Sequence, residues 1–147
     1  MAFAGNSYAD DVDAQAAFEG LSADPAAQLV DVRTREEWGF VGVPDLSALG
    51  KQPLLIEWQS LPAMQVAADF LDRLKAELAG RGVPADAPLY FLCRSGARSA
   101  AAAAAATAQG FGPAYNVAGG FEGPPDQNRH RGQVEGWKAR GLPWVQN

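Results

Sequence analysis

The sequence predicts an α/β fold, a small parallel β-sheet with helices on both faces. Three observations lead there. Short apolar runs with strand character, at 28–32, 54–58, 89–92 and 114–117, alternate with stretches of helical spacing. That alternation is the signature of a parallel sheet with crossover helices. The chain has 147 residues, a length that fits one domain. Its single cysteine, Cys93, stands where a strand ends and a helix begins. Parallel sheets place their ligand sites at such strand ends.

The elements follow in order. Residues 1–12 read as an N-terminal extension and 13–147 as one domain. Residues 13–21 suit a short helix with Asp13 as N-cap. After the strand at 28–32, Thr34 and Glu37 carry the spacing of a capping box for a small helix. Residues 39–53 are rich in Gly and Pro and read as loop. Ser60-Leu61-Pro62 then opens the clearest helical pattern, with Met64, Ala67, Leu71, Leu74 and Leu78 forming one apolar stripe. Gly80, Gly82 and Pro84 stop it. The alanine-rich stretch 99–109 is a helix whose small side chains allow close packing on a sheet. Trp137, Leu142 and Trp144 fold the tail back onto the body, and Trp38 and Trp58 are packing residues as well.

Composition narrows the function classes. A 48% hydrophobic content supports a core without disulfides, and one cysteine cannot close an internal disulfide. A lone thiol is best preserved in a reducing compartment, so a cytoplasmic location is expected. The formal net charge of −5 argues against general nucleic-acid binding. Met1-Ala2-Phe3-Ala4-Gly5-Asn6 has no basic segment and no apolar core, so no secretory signal is expected. The alanine run 100–106, seven residues long, is far short of a membrane span. No membrane or nucleic-acid partner is expected.

The chemistry concentrates in Cys93-Arg94-Ser95-Gly96-Ala97-Arg98-Ser99. The strand fixes the sulfur, and the helix start supplies unpaired N–H groups and a positive dipole end. Together with Arg94 and Arg98 these favour the thiolate, the nucleophilic form. If the backbone wraps the sulfur, its N–H groups form an anion nest, and Gly96 suits a wrap that needs positive φ. The two arginines either both face an anionic substrate, or one pairs with a structural carboxylate. Ser99 caps the following helix in the simplest reading. Asp31 and Arg33 follow the first strand, whose end lies beside that of the Cys93 strand. They either support the loop, or Arg33 forms a surface ion pair with Glu37. His130, the only histidine, reads as a solvated loop residue flanked by Arg129 and Arg131. One cysteine and one histidine make no metal site, and no cofactor motif is present.

Leu29-Val30-Asp31-Val32-Arg33, Glu37-Trp38, the Cys93–Ser99 loop, Asn116-Val117-Ala118-Gly119-Gly120, Gly136-Trp137 and Gly141-Leu142-Pro143-Trp144 together resemble a single-domain rhodanese. The resemblance covers 13–144. It implies a sulfurtransferase that carries sulfane sulfur as a Cys93 persulfide. The donor would be thiosulfate or a similar small sulfur compound, and the acceptor a thiol, cyanide or a protein. It also implies that Arg129 and Arg131 extend an anion-attracting rim. One motif departs from the family pattern: Gly42-Val43-Pro44-Asp45-Leu46 stands where rhodaneses usually carry Gly-His-Ile-x-Gly-Ala. Two rivals share parts of the pattern. Phosphatases and arsenate reductases of this type resemble Cys-x5-Arg, whereas Cys93 to Arg98 is Cys-x4-Arg, a cradle better sized for one sulfur. Non-enzymatic rhodanese-like modules often lack the cysteine.

Overall fold

The computed structural model describes residues 7–60 and 63–146. The expectations for Met1 to Asn6 and for Leu61-Pro62 lie outside the described residues. Five parallel strands form the central sheet: β1 (Asp10–Val12), β2 (Gln28–Asp31), β4 (Leu54–Leu55), β7 (Leu89–Leu92) and β8 (Ala114–Val117). Their order is β1-β8-β7-β2-β4. β1 is an edge strand paired in register with β8, Asp10 beside Tyr115 and Val12 beside Val117. The sheet therefore takes in residues read from sequence as an extension.

Helices α1 (Ala14–Ala23), α2 (Arg35–Val41), α3 (Phe70–Gly80) and α4 (Ala97–Ala108) connect the strands. Asp13 caps α1 by accepting the Ala16 N–H. Thr34 and Glu37 close the capping box of α2. Strand alternation divides the core between the two faces. Val30, Val32, Leu89, Phe91 and Cys93 pack with α3 and α4 on one side. Leu29, Tyr90, Leu92 and Val117 pack with α1, Phe121 and Trp137 on the other. In α4, Ala102, Ala103 and Ala106 are fully buried. Each alanine lets the helix axis approach β7 and β8 closely.

Helix α3 starts later than its apolar spacing suggests. Before it, β5 (Gln59–Ser60) and β6 (Gln65–Val66) pair antiparallel, and Met64 turns the chain with φ of 53°. Met64 and Ala67 are only half-buried, and Phe70 is the first anchor of the helix, followed by Leu74 and Leu78. The 54–58 strand is shorter in ladder terms, but Ile56 and Trp58 still donate to Asp31 and Val32 of the β2 segment. The tail returns as expected. Trp137 is fully buried, edge-on to Phe18, and donates to Pro143 O. β9 (Trp144–Val145) pairs with β3 (Val43–Pro44), which holds the stretch that departs from the family motif.

Candidate active site

Cys93 directly follows β7, the central strand, and is 2% exposed. Its sulfur accepts the Gly96 N–H at 3.1 Å. Gly96 has φ of 118° and is the N-cap of α4. An L side chain rarely takes that conformation, so the glycine lets the chain fold over the sulfur. Among the described residues, Gly96 is the one loop residue whose backbone N–H is bonded to Sγ, a narrower arrangement than a full ring of donors.

The loop is also held from outside. Cys93 O accepts from Phe121 N, and Arg94 O from both Glu122 N and Gly123 N. Gly120 makes this approach possible: a Cβ there would fall 2.4 Å from Cys93 O and 2.6 Å from Arg94 O. In the sequence Gly120 stands only as the last residue of the Asn116-Val117-Ala118-Gly119-Gly120 motif. Its signal was the pair of adjacent glycines.

Ser99 does not cap α4. It is fully buried in the first turns, with its hydroxyl 3.2 Å from Cys93 Sγ, 3.2 Å from Gly96 O and 2.5 Å from Asn116 Oδ1. Asn116 in turn donates to Asp11 Oδ1 at 2.9 Å, which orients its amide with oxygen toward Ser99. A hydrogen-bonded line thus runs from the sheet edge to the hydroxyl that stands beside the sulfur. Asn116 and Asp11 were not singled out in the sequence as site residues, because their contact spans 105 positions.

The two arginines divide their tasks. Arg98 clamps Glu37 with Nη1–Oε1 at 2.7 Å and Nη2–Oε2 at 3.0 Å. Burial alone would raise the Glu37 carboxyl, but hydrogen bonds from Arg98 and Thr34 and the Arg98 charge outweigh it and hold it at about 2. Arg94 is exposed, as are Ser95 and Ala97.

Asp31 and Arg33 form a fully buried ion pair, Nη2–Oδ2 2.7 Å. The alternative Arg33–Glu37 surface pair is not formed, since Glu37 belongs to Arg98. Arg33 also donates to Gly42 O at 2.7 Å and lies 4.2 Å from the centroid of the Phe121 ring. Phe121 is also the residue whose N–H bonds Cys93 O, so the pair and the loop meet at one aromatic residue. Lys138 reaches the same ring at 5.2 Å and bonds Val41 O.

A cleft of ≈ 390 Å³ borders the loop, lined by Thr34, Glu36, Glu37, Phe40, Val41, Met64, Arg94 and Arg98. None of the four tryptophans lines it. His130 is exposed, and Arg129 beside it takes φ of 63°. Arg131 donates to Gly123 O at 2.6 Å, which ties it to the turn beneath Arg94. Among the described residues, no group of three or more His, Cys, Asp or Glu is arranged to hold a metal ion. No helix among them is long and apolar enough to cross a membrane.

A parallel five-stranded sheet, helices on both faces and a cysteine loop leaving the central strand define a rhodanese-like domain. Comparison with known proteins gives the family. Residues 10–147 match the model of the STR4 middle domain, and the chain belongs to that family. It is 39% identical over 128 residues to the uncharacterized protein RP600 homolog of Rickettsia rickettsii, covering 87% of this chain and 90% of that protein. The chloroplastic rhodanese-like domain-containing protein 4 of Arabidopsis thaliana is 28% identical across 90% of this chain, which spans 25% of that protein. Among solved structures, Rv0390 from M. tuberculosis superposes with a TM-score of 0.86 at 48% identity, covering 96% of this chain and all of that one. The polysulfide-sulfur transferase homodimer of Wolinella succinogenes shares the fold, with a TM-score of 0.59 at 23% identity over 98% of this chain and 82% of that one.

Proposed function

We propose that this domain is a sulfurtransferase that works through a persulfide on Cys93. In the first step the Cys93 thiolate attacks the outer sulfur of a sulfane-sulfur donor. A new S–S bond forms at Sγ, the S–S bond of the donor breaks, and the remainder leaves with the electron pair. In the second step a nucleophilic acceptor (a thiol, cyanide or a protein thiol) takes the outer sulfur and regenerates the thiolate. This is covalent double displacement and predicts ping-pong kinetics.

The observation that carries this reading is the buried sulfur at the end of the central strand, with the Gly96 N–H aimed at it from 3.1 Å. A persulfide or thiolate there gains a fixed donor and a helix N-terminus without a general base. The six-residue span from Cys93 to Arg98 favours a single sulfur over a tetrahedral oxyanion. A cytoplasmic setting goes with this role, because a working thiol must stay reduced between turnovers.

Intact-protein mass spectrometry tests it. After incubation with sulfane-sulfur donors, the chain gains about 32 Da, one sulfur, and Cys93→Ala gains nothing. No gain with any donor contradicts the proposal and favours a rhodanese-like binding module. Phosphatase activity lost in Cys93→Ser, with no sulfur uptake, favours the oxyanion alternative.

A further inference from the structure

A cleft lies beside the Cys93 loop, and its lining describes the kind of ligand it would suit. Its charged lining is balanced, with Arg94 and Arg98 against Glu36 and Glu37. Arg98 is committed to Glu37 through two short hydrogen bonds. Glu36 holds one carboxylate oxygen out of water without a hydrogen-bond partner. Arg94 is therefore the one lining cation not bonded to a carboxylate among the described residues. With the Arg98–Glu37 pair neutral as a unit, a donor would meet one free cation, Arg94, and one carboxylate, Glu36, an arrangement that suits a single negative charge better than two.

Apart from Thr34, the rest of the lining is apolar. Phe40, Val41 and Met64 form it, and Phe40 is 81% exposed. A large aromatic ring left in water at the rim of a cleft gains about 25 cal/mol for each Å² that an apolar partner covers. The volume of ≈ 390 Å³ lies in the range of small-molecule sites. Charge and apolar surface together describe a complementary ligand with one negative charge to meet Arg94 and an apolar group to lie against Phe40.

Building on the sulfur-transfer role of Cys93, we propose that the donor is a small organic sulfane-sulfur monoanion with an apolar body, in preference to an inorganic dianion such as thiosulfate. Arg94 receives the charge, and Phe40, Val41 and Met64 receive the body. With a thiosulfonate probe, R–SO2–S⁻, the step balances. Cys93 sulfur bonds the outer sulfur, the probe's S–S bond breaks, and the sulfinate R–SO2⁻ leaves with the electron pair. Two negative charges enter and two remain, and no oxidant or reductant is consumed.

The test compares three probes under single-turnover conditions: benzenethiosulfonate, methanethiosulfonate and thiosulfate. Sulfur uptake on Cys93 is followed by quenched intact mass. Each rate is divided by that of the same probe with free cysteine, which removes differences in leaving group. The corrected rate for benzenethiosulfonate is expected to exceed that for methanethiosulfonate by about tenfold, the factor for 1.4 kcal/mol of binding, with thiosulfate slowest. Phe40→Ser is expected to shrink the benzene-to-methane ratio about fivefold; its exposure means that folding is not at stake. Glu37→Gln releases Arg98 and is expected to raise the thiosulfate rate relative to the other two. A corrected order with thiosulfate fastest, or a benzene-to-methane ratio that Phe40→Ser leaves unmoved, overturns the donor class while leaving the persulfide role intact. Sulfur uptake from none of the three probes overturns the persulfide role, and the donor class with it.

Discussion

Arg98 grips Glu37 across 61 positions of chain with two hydrogen bonds of 2.7 and 3.0 Å. This joins the start of α4, which carries the Cys93 loop, to α2, which carries one wall of the cleft. Glu37 simultaneously completes the capping box with Thr34. One carboxylate thus fixes a helix start and the nearby arginine at once.

That double role makes the pair visible in acid. The Glu37 carboxyl is held at about 2, below its ordinary value. A depressed carboxyl contributes stability that is fully present above its unfolded value, about 4.3, and is lost as pH falls toward 2. Glu135, also held at about 2 through its hydrogen bond from Arg140, acts in the same window. The difference between wild type and Glu37→Gln therefore isolates the Glu37 share. We expect Glu37→Gln to cost about 1–2 kcal/mol at pH 7. Urea titrations from pH 7 down to about pH 3 should show the two proteins converging as acid is added. A gap that does not depend on pH would contradict this account.

Gly120 is expected to tolerate no side chain. The added Cβ meets backbone atoms of Cys93 and Arg94 within 2.6 Å, and φ is +59°. Backbone cannot swing aside as a side-chain tip does. Gly120→Ala should cost about 2–4 kcal/mol and slow sulfur uptake by displacing the Cys93 carbonyl. Gly80→Ala is the control, since nothing lies within 4 Å of its Cβ. Thermal and urea unfolding of both variants checks this, and equal effects would contradict it.

The buried Asp31–Arg33 pair should behave asymmetrically. Arg33→Met strands an ionised carboxylate that is 0% exposed, and it removes the cation from Phe121. A loss of about 3–5 kcal/mol is expected. Adding Asp31→Leu to that variant should recover part of the stability, because no buried charge then remains. A double variant no more stable than Arg33→Met would show that packing against Phe121, and not charge, is what the pair provides.

The sequence was most informative where the determinants are local. The Asp13 cap, the Thr34–Glu37 box, the apolar strand before Cys93 and the positive φ of Gly96 each depend on a few neighbouring residues, and all were legible. Non-local determinants were not. Nothing near Arg98 says that its partner is Glu37, and nothing near Asn116 points to Asp11. The three-residue strand β1 becomes a strand only through β8, so its residues looked like an extension. The start of α3 was misplaced because Met64 and Ala67 continue the apolar spacing of Leu71, Leu74 and Leu78. Spacing alone does not register that Met64 turns the chain between two antiparallel segments. Gly120 was visible as a glycine, but its reason lies in backbone from another part of the chain.

The central claim is that Cys93 carries a transferable sulfur, and discharge tests it most directly. The chain has no second cysteine to resolve a persulfide internally. Protein loaded with labelled sulfane sulfur and freed of donor should release that label to added cyanide as thiocyanate, in an amount equal to the loaded Cys93. Label that stays on the protein, or that loads and discharges equally in Cys93→Ala, would contradict it.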